Sequence, residues 1–184
     1  QDFLARATAD GAAIYGLYRN HPMVRPFNFR RGTSLLKGVD LWRDLPAMTE
    51  PERLSLMRDA AARPRLRHGL DHPITDPAMG ATTPPPPMDT VFVKESSRLD
   101  CVGRSIGEIA AKSGSHPADV LADLLDADDL GTGFEWRSET EAWRTGAADT
   151  LRHPNILIGT GDGGAHTDRD DGSEWSTYFI SSCV

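Results

Sequence analysis

The chain has 184 residues, 39% apolar and 26% charged, a balance that supports a packed core rather than a disordered or fibrous chain. Its formal net charge of −7, with acidic clusters at 119–129 and 168–171, repels phosphate backbones and anionic lipid, so nucleic-acid and membrane-surface partners are excluded and a small molecule is favoured. No run approaches the roughly 20 apolar residues of a membrane span, no signal peptide is recognisable, and Cys101 and Cys183 lack zinc-type spacing, so the expected home is the reducing cytoplasm.

The chain opens at Gln1 already inside a helical pattern. Phe3, Leu4 and Ala7 recur at helical spacing up to Asp10, Gly11 stands where a helix C-cap needs positive φ, and Ala12 to Tyr18 reads as a buried strand. Helix, glycine and apolar strand make the αβ step of a repeating α/β fold. Residues 20–44 intersperse Phe27, Phe29 and Trp42 with Arg and Gly without a period, as an ordered covering loop does. Thr49, with Glu52 three positions on, is a capping box that opens one helix carrying Leu54, Leu56 and Met57 to about Arg67.

Residues 72–88 contain Pro84 to Pro87, an extended surface connector. Thr90 to Lys94 reads as a short strand. Ser105 and Glu108 form a second capping box, ahead of a helix that stops at Gly114, and a further helix starts at Pro117 and buries Val120, Leu121, Leu124 and Leu125. Phe134 to Thr150 is expected to be helical in part, with Trp136 and Trp143 on one side. Asn155 to Ile158 is a short apolar strand running into a glycine-rich segment, 159–166. The chain closes on an apolar stretch from Tyr178, and both ends read as cuts.

The chemistry is expected after that last strand. Asp162 follows a buried strand among Gly159, Gly161, Gly163 and Gly164, which let backbone approach a ligand closely. In barrel folds such a strand-end carboxylate binds metal or takes a proton from metal-bound water. The plain structural alternative is an Asx turn. His166, four residues on, orients substrate or is a structural loop histidine. Tyr15, Tyr18, Arg19 and His21 are further candidates at a strand end. His68 and His72 have the i, i+4 spacing of a helical chelate, but Gly69 and Pro73 argue against a helix there, so they read as surface histidines. Cys101 reads as a packed cysteine.

The stretch from His153 through Gly159, Asp162 and Gly164 to His166 resembles the last-strand motif of the N-acyl-D-amino-acid deacylases, a branch of the metal-dependent amidohydrolases. The segments 103–110 and 114–119 are similar to that family's helix pair, and the resemblance runs from about Ala12 to Val184. It implies an α/β fold consisting of the later strands and helices of a (β/α)8 TIM barrel, truncated at both ends, as one catalytic domain over 1–184. It further implies hydrolysis of the amide of an N-acyl (D-)amino acid, zinc as cofactor, Asp162 as metal ligand and general base and acid, and Gly163, Gly164 and His166 against the substrate. The other zinc ligands of the family would lie before Gln1, so the expected partner is the remainder of the barrel, and this chain by itself is expected to be inactive. Gly161 departs from the serine usual in relatives, and 167–174 matches no substrate clamp.

Two other classes compete. A non-catalytic scaffold predicts that Asp162 is dispensable. A helix-turn-helix module fits the helix, glycine turn and helix over 105–125, but Asp119, Asp123 and Asp126 would present carboxylates to DNA phosphates.

Overall fold

The computed structural model describes residues 2–159 and 175–182. In chain order the elements are α1 (Asp2–Ala9), β1 (Gly16–Tyr18), β2 (Val24–Phe27), α2 (Glu50–Arg58), α3 (Arg63–Asp71), β3 (Val91–Glu95), α4 (Ile106–Ser113), α5 (Pro117–Ala127), β4 (Gly133–Arg137), α6 (Glu141–Leu151), β5 (Ile156–Ile158) and α7 (Trp175–Ser182), with short 3-10 turns at Leu45–Ala47, Pro77–Met79 and Met88–Thr90. The fold is mixed α/β, with one parallel strand pair and an antiparallel pairing of β3 with β4 in a three-stranded sheet of order β2-β4-β3. The chain divides into two compact units, the first built from Gln1–Arg25 with Arg137–Val184 and the second from Pro26–Trp136.

In the first unit β1 and β5 run parallel, pairing Gly16 with Ile156, Leu17 with Leu157 and Tyr18 with Ile158. Backbone bonds prolong the ladder at both ends, Gly16 N to Asn155 O at 2.9 Å and Gly159 N to Tyr18 O at 3.3 Å. Gly16 is required by close approach: a Cβ there would stand 2.9 Å from Ile156 Cδ1 and 3.2 Å from Leu4 Cδ1, so α1 closes onto that face. Gly11 ends α1 with φ +84°, as its C-cap position demands. The expected strand over Ala12 to Tyr18 shrinks to three residues and is not buried on both sides. Leu17 is 63% exposed and its register partner Leu157 49% exposed, because the helix layer covers only the opposite face.

The second unit holds the main apolar core. Phe29, Trp42, Leu45, Met57, Leu66, Val91, Val93, Ile106, Leu121, Leu124, Leu125 and Phe134 are buried together. Phe29 sits edge-on to Phe27, Trp42 and Phe134, with ring centres 5.6–5.9 Å apart, geometry that suits the aromatic quadrupole. The segment 20–44 is therefore core material as much as cover, and it contains a strand, β2, that its irregular composition did not reveal. Arg53 is 8% exposed; its guanidinium donates to the carbonyls of Phe29 (2.7 Å), Arg30 (2.9 Å), Met48 (3.0 Å) and Pro46 (3.2 Å), satisfying loop groups that no ladder reaches.

Both capping boxes form, Thr49 with Glu52 and Ser105 with Glu108. The helix expected from Thr49 to about Arg67 is two helices. α2 stops at Arg58, where Asp59 turns to extended backbone (ψ 109°), and α3 restarts at Arg63 with Pro64 in its first turn, where its missing N–H costs no helical bond. Trp136 belongs to strand β4 rather than to a helix shared with Trp143, since Phe134 and Trp136 alternate against Val93 and Val91. The proline segment is docked: Ile74 N donates to Gly38 O at 2.8 Å, and Ala81 and Pro86 are buried.

Candidate functional site

The parallel pairing of β1 and β5 fixes where chemistry would gather in the first unit. Two parallel strands end on the same side, and the register sets Tyr18 beside Ile158, with Gly159 bonded to the Tyr18 carbonyl. Open and closed parallel sheets alike bind ligands at the carboxyl ends of their strands. From that side the chain continues on one strand into Arg19, Asn20 and His21, and on the other into the glycine-rich segment.

Asp162, Gly163, Gly164 and His166, the residues expected to carry the site, lie outside the described residues. So does the acidic segment 168–171. What is described is the stem that delivers them: Asn155 N is held by His153 Nδ1 at 3.1 Å, and the Asn155 side chain donates to Thr8 Oγ1 and Ile14 O, both at 3.1 Å. These bonds lock the start of β5 to α1 and to the approach to β1.

Of the strand-end candidates, Tyr15 is 58% exposed. Tyr18 is half-buried, and burial raises its phenol above the ordinary value, which keeps it a neutral hydrogen-bond donor and acceptor. His21 is 1% exposed; its Nδ1 lies 3.1 Å from Pro22 O and its Nε2 has no hydrogen-bond partner among the described residues. An open groove of about 800 Å³ runs between α6 and α7, lined by Asn20, Trp143, Arg144, Leu151, Tyr178 and Phe179. Sequence reading missed it, because α7 carries no start or stop signal within its apolar run.

Zinc was expected with Asp162 as a ligand. Among the described residues no group of three or more His, Cys, Asp and Glu side chains could hold a metal ion, so the described part of the chain supplies no zinc cage. Cys101 is a buried free thiol whose pKa is raised by burial and by the neighbouring Asp100 carboxylate, and it is unsuited to nucleophilic work.

The carboxylates of α5 pair with arginines of α2 and α3; Asp119 is largely covered, while Asp123 and Asp126 stay partly in solvent. Arg58 meets Asp126 at 2.5 Å, Arg63 meets Asp123 at 2.8 Å and Arg67 meets Asp119 at 2.8 Å. No helix among the described residues is long and apolar enough to cross a membrane.

No family of known proteins, no curated protein and no solved structure matches the chain.

Proposed function

We propose that this chain forms the closing strands of an amidohydrolase barrel and that Asp162 is the proton-transferring carboxylate in the hydrolysis of an N-acyl amino acid. The observation that supports the reading most is the β1/β5 pair. It is parallel, α1 covers one face, Leu17 and Leu157 crowd the other, and the strand ends lead directly into the segment that carries Asp162. Parallel sheets are ordinarily buried on both faces. The bare leucine face therefore calls for further strands and a filled interior, as the inside of a barrel provides.

In this reading Asp162 accepts a proton from the water that attacks the acyl carbon, and returns it to the amine as the carbon–nitrogen bond breaks. One proton and one water are accounted for in the products, a free carboxylic acid and an amino acid. Gly163 and Gly164 leave room for the amide to approach backbone, and His166 donates a hydrogen bond to the substrate. Zinc and its histidine ligands would come from polypeptide beyond these 184 residues.

The test is turnover of N-acetyl-D-amino acids, followed as amine release, by a polypeptide that supplies the preceding barrel strands. Asp162→Asn should lower kcat by roughly 10²–10⁴-fold, the usual contribution of a positioned acid or base. Equal rates in the two proteins would remove Asp162 from the chemistry, and turnover by the 184-residue chain alone would show that no further strands are needed.

A further inference from the structure

We propose that the groove between α6 and α7 holds the acyl chain of an N-acyl amino acid, so that the preferred substrate carries a medium-length hydrocarbon tail rather than an acetyl group. The identity of that ligand rests on the amide-hydrolase reading above; a site for an apolar chain rests on the groove alone.

Helical spacing makes the groove. Trp143, Ala147 and Leu151 stand four residues apart and form one row along α6, and Arg144, Ala148 and Arg152 form the next. The middle of each row is alanine, whose side chain ends at Cβ, so a trough is left between the larger groups at either end. Ala147 is 6% exposed, and Trp143 and Leu151 are half-buried. Tyr178 and Phe179 of α7, also half-buried, supply the facing wall. A volume of about 800 Å³ and a mainly apolar and aromatic lining are those of a small-molecule site.

Length selects a tail. From Trp143 to Leu151, α6 rises about 12 Å at about 1.5 Å per residue. An extended chain advances about 1.2 Å per bond, so roughly ten carbons match that span. No apolar amino-acid side chain is as long, which assigns the groove to the acyl group and not to the amino-acid side chain.

Charge selects an uncharged tail. The arginines on the rim are already matched by carboxylates, Arg144 Nε with Glu139 Oε1 at 2.9 Å and Arg152 Nη1 with Asp149 Oδ1 at 3.0 Å. A ligand carboxylate would compete with these pairs, whereas a hydrocarbon leaves them intact and gains contact with the arginine stems.

Position connects the groove to the strand ends. Asn20, 1% exposed, lines it and stands two residues beyond Tyr18, the last residue of β1. A tail in the groove therefore passes the carboxyl end of β1, the end at which its parallel partner β5 also finishes.

The experiment titrates the 184-residue chain by calorimetry with N-acetyl-, N-hexanoyl-, N-decanoyl- and N-tetradecanoylglycine, each below its micelle concentration. Affinity is expected to rise roughly two- to fourfold per added CH2, the gain from burying it less the cost of ordering it, and to level off beyond N-decanoylglycine as the tail outgrows the groove. Ala148→Leu fills the trough from an exposed position with a good helix former, and should weaken N-decanoylglycine by roughly tenfold or more. Trp143→Ala should weaken it as well, and circular dichroism checks that both variants are folded. Leu17→Ser with Leu157→Ser should leave binding unchanged, which separates the groove from the exposed leucines of β1 and β5. A folded Ala148→Leu protein that binds N-decanoylglycine within twofold of the unaltered chain would overturn the proposal. So would an affinity independent of acyl length, or one still climbing at N-tetradecanoylglycine as on any apolar surface. No turnover is involved, so these outcomes leave the role of Asp162 untouched, and equal rates with Asp162→Asn would leave the groove untouched.

Discussion

At the scale of single residues, the most telling side chain outside the candidate site is Asp128. Burial would raise its carboxyl, but hydrogen bonds from Ser96 Oγ, Ser97 Oγ, Thr132 Oγ1 and the Ser97 backbone N–H outweigh that and lower it to about 2. The group ties the end of β3 to the turn after α5, where Asp129 and Leu130 both take positive φ. A carboxyl whose folded pKa lies below its unfolded value stabilises the fold above the unfolded value and loses that contribution as pH falls. Asp128→Ala should therefore cost about 2 kcal/mol in urea unfolding at neutral pH. The deficit should shrink as the pH drops from about 4 towards about 2; a deficit constant across that window would mean that the carboxylate's charge is irrelevant.

Elements show where local rules and packing disagree. In the interior of an exposed helix, Gly→Ala stabilises by roughly 1 kcal/mol. Gly69 in α3 should do the opposite. The added Cβ would meet Asp40 O at 2.4 Å and Asp40 C at 3.2 Å, and these are backbone atoms that cannot swing aside. Gly69→Ala is expected to destabilise by about 1–3 kcal/mol, read as a lower thermal midpoint, because α3 must move off the Asp40 segment. A raised midpoint would show that α3 is not pressed against it. Capping boxes, by contrast, acted as local devices: Ser105 Oγ accepts from Glu108 N at 3.1 Å and Glu108 Oε2 accepts from Ser105 N at 2.9 Å, so a four-residue segment suffices to start α4.

For the whole molecule, the consequential feature is the leucine face of the β1/β5 pair. Leu17 and Leu157 are register partners, so they form one apolar strip on the side of the pair away from α1. Leu17→Ser with Leu157→Ser should reduce binding of an apolar fluorescent dye by the chain while leaving its thermal midpoint nearly unchanged, since neither leucine is buried. A large loss of stability would show that the strip is already packed. The same pair of substitutions in a polypeptide carrying the remaining barrel strands should be strongly destabilising, as deletions from a filled interior are.

The sequence by itself determined what short-range physics controls: the helix starts at Thr49, Ser105 and Pro117, the stops at Gly11 and Gly114, the strands expected at Thr90–Lys94 and Asn155–Ile158 and found at Val91–Glu95 and Ile156–Ile158, and the glycine-rich stretch around Asp162. Caps, prolines and alternating apolar residues act within a few positions, so their meaning survives without knowing the neighbours. Tertiary structure alone decided that Phe29 and Trp42 are core, that Trp136 is on a strand, that the α5 carboxylates pair with Arg58, Arg63 and Arg67, and that helix continues through Gly69 to set His68 against His72. Each depends on atoms brought close from distant positions, and nothing in the order of residues encodes that proximity locally.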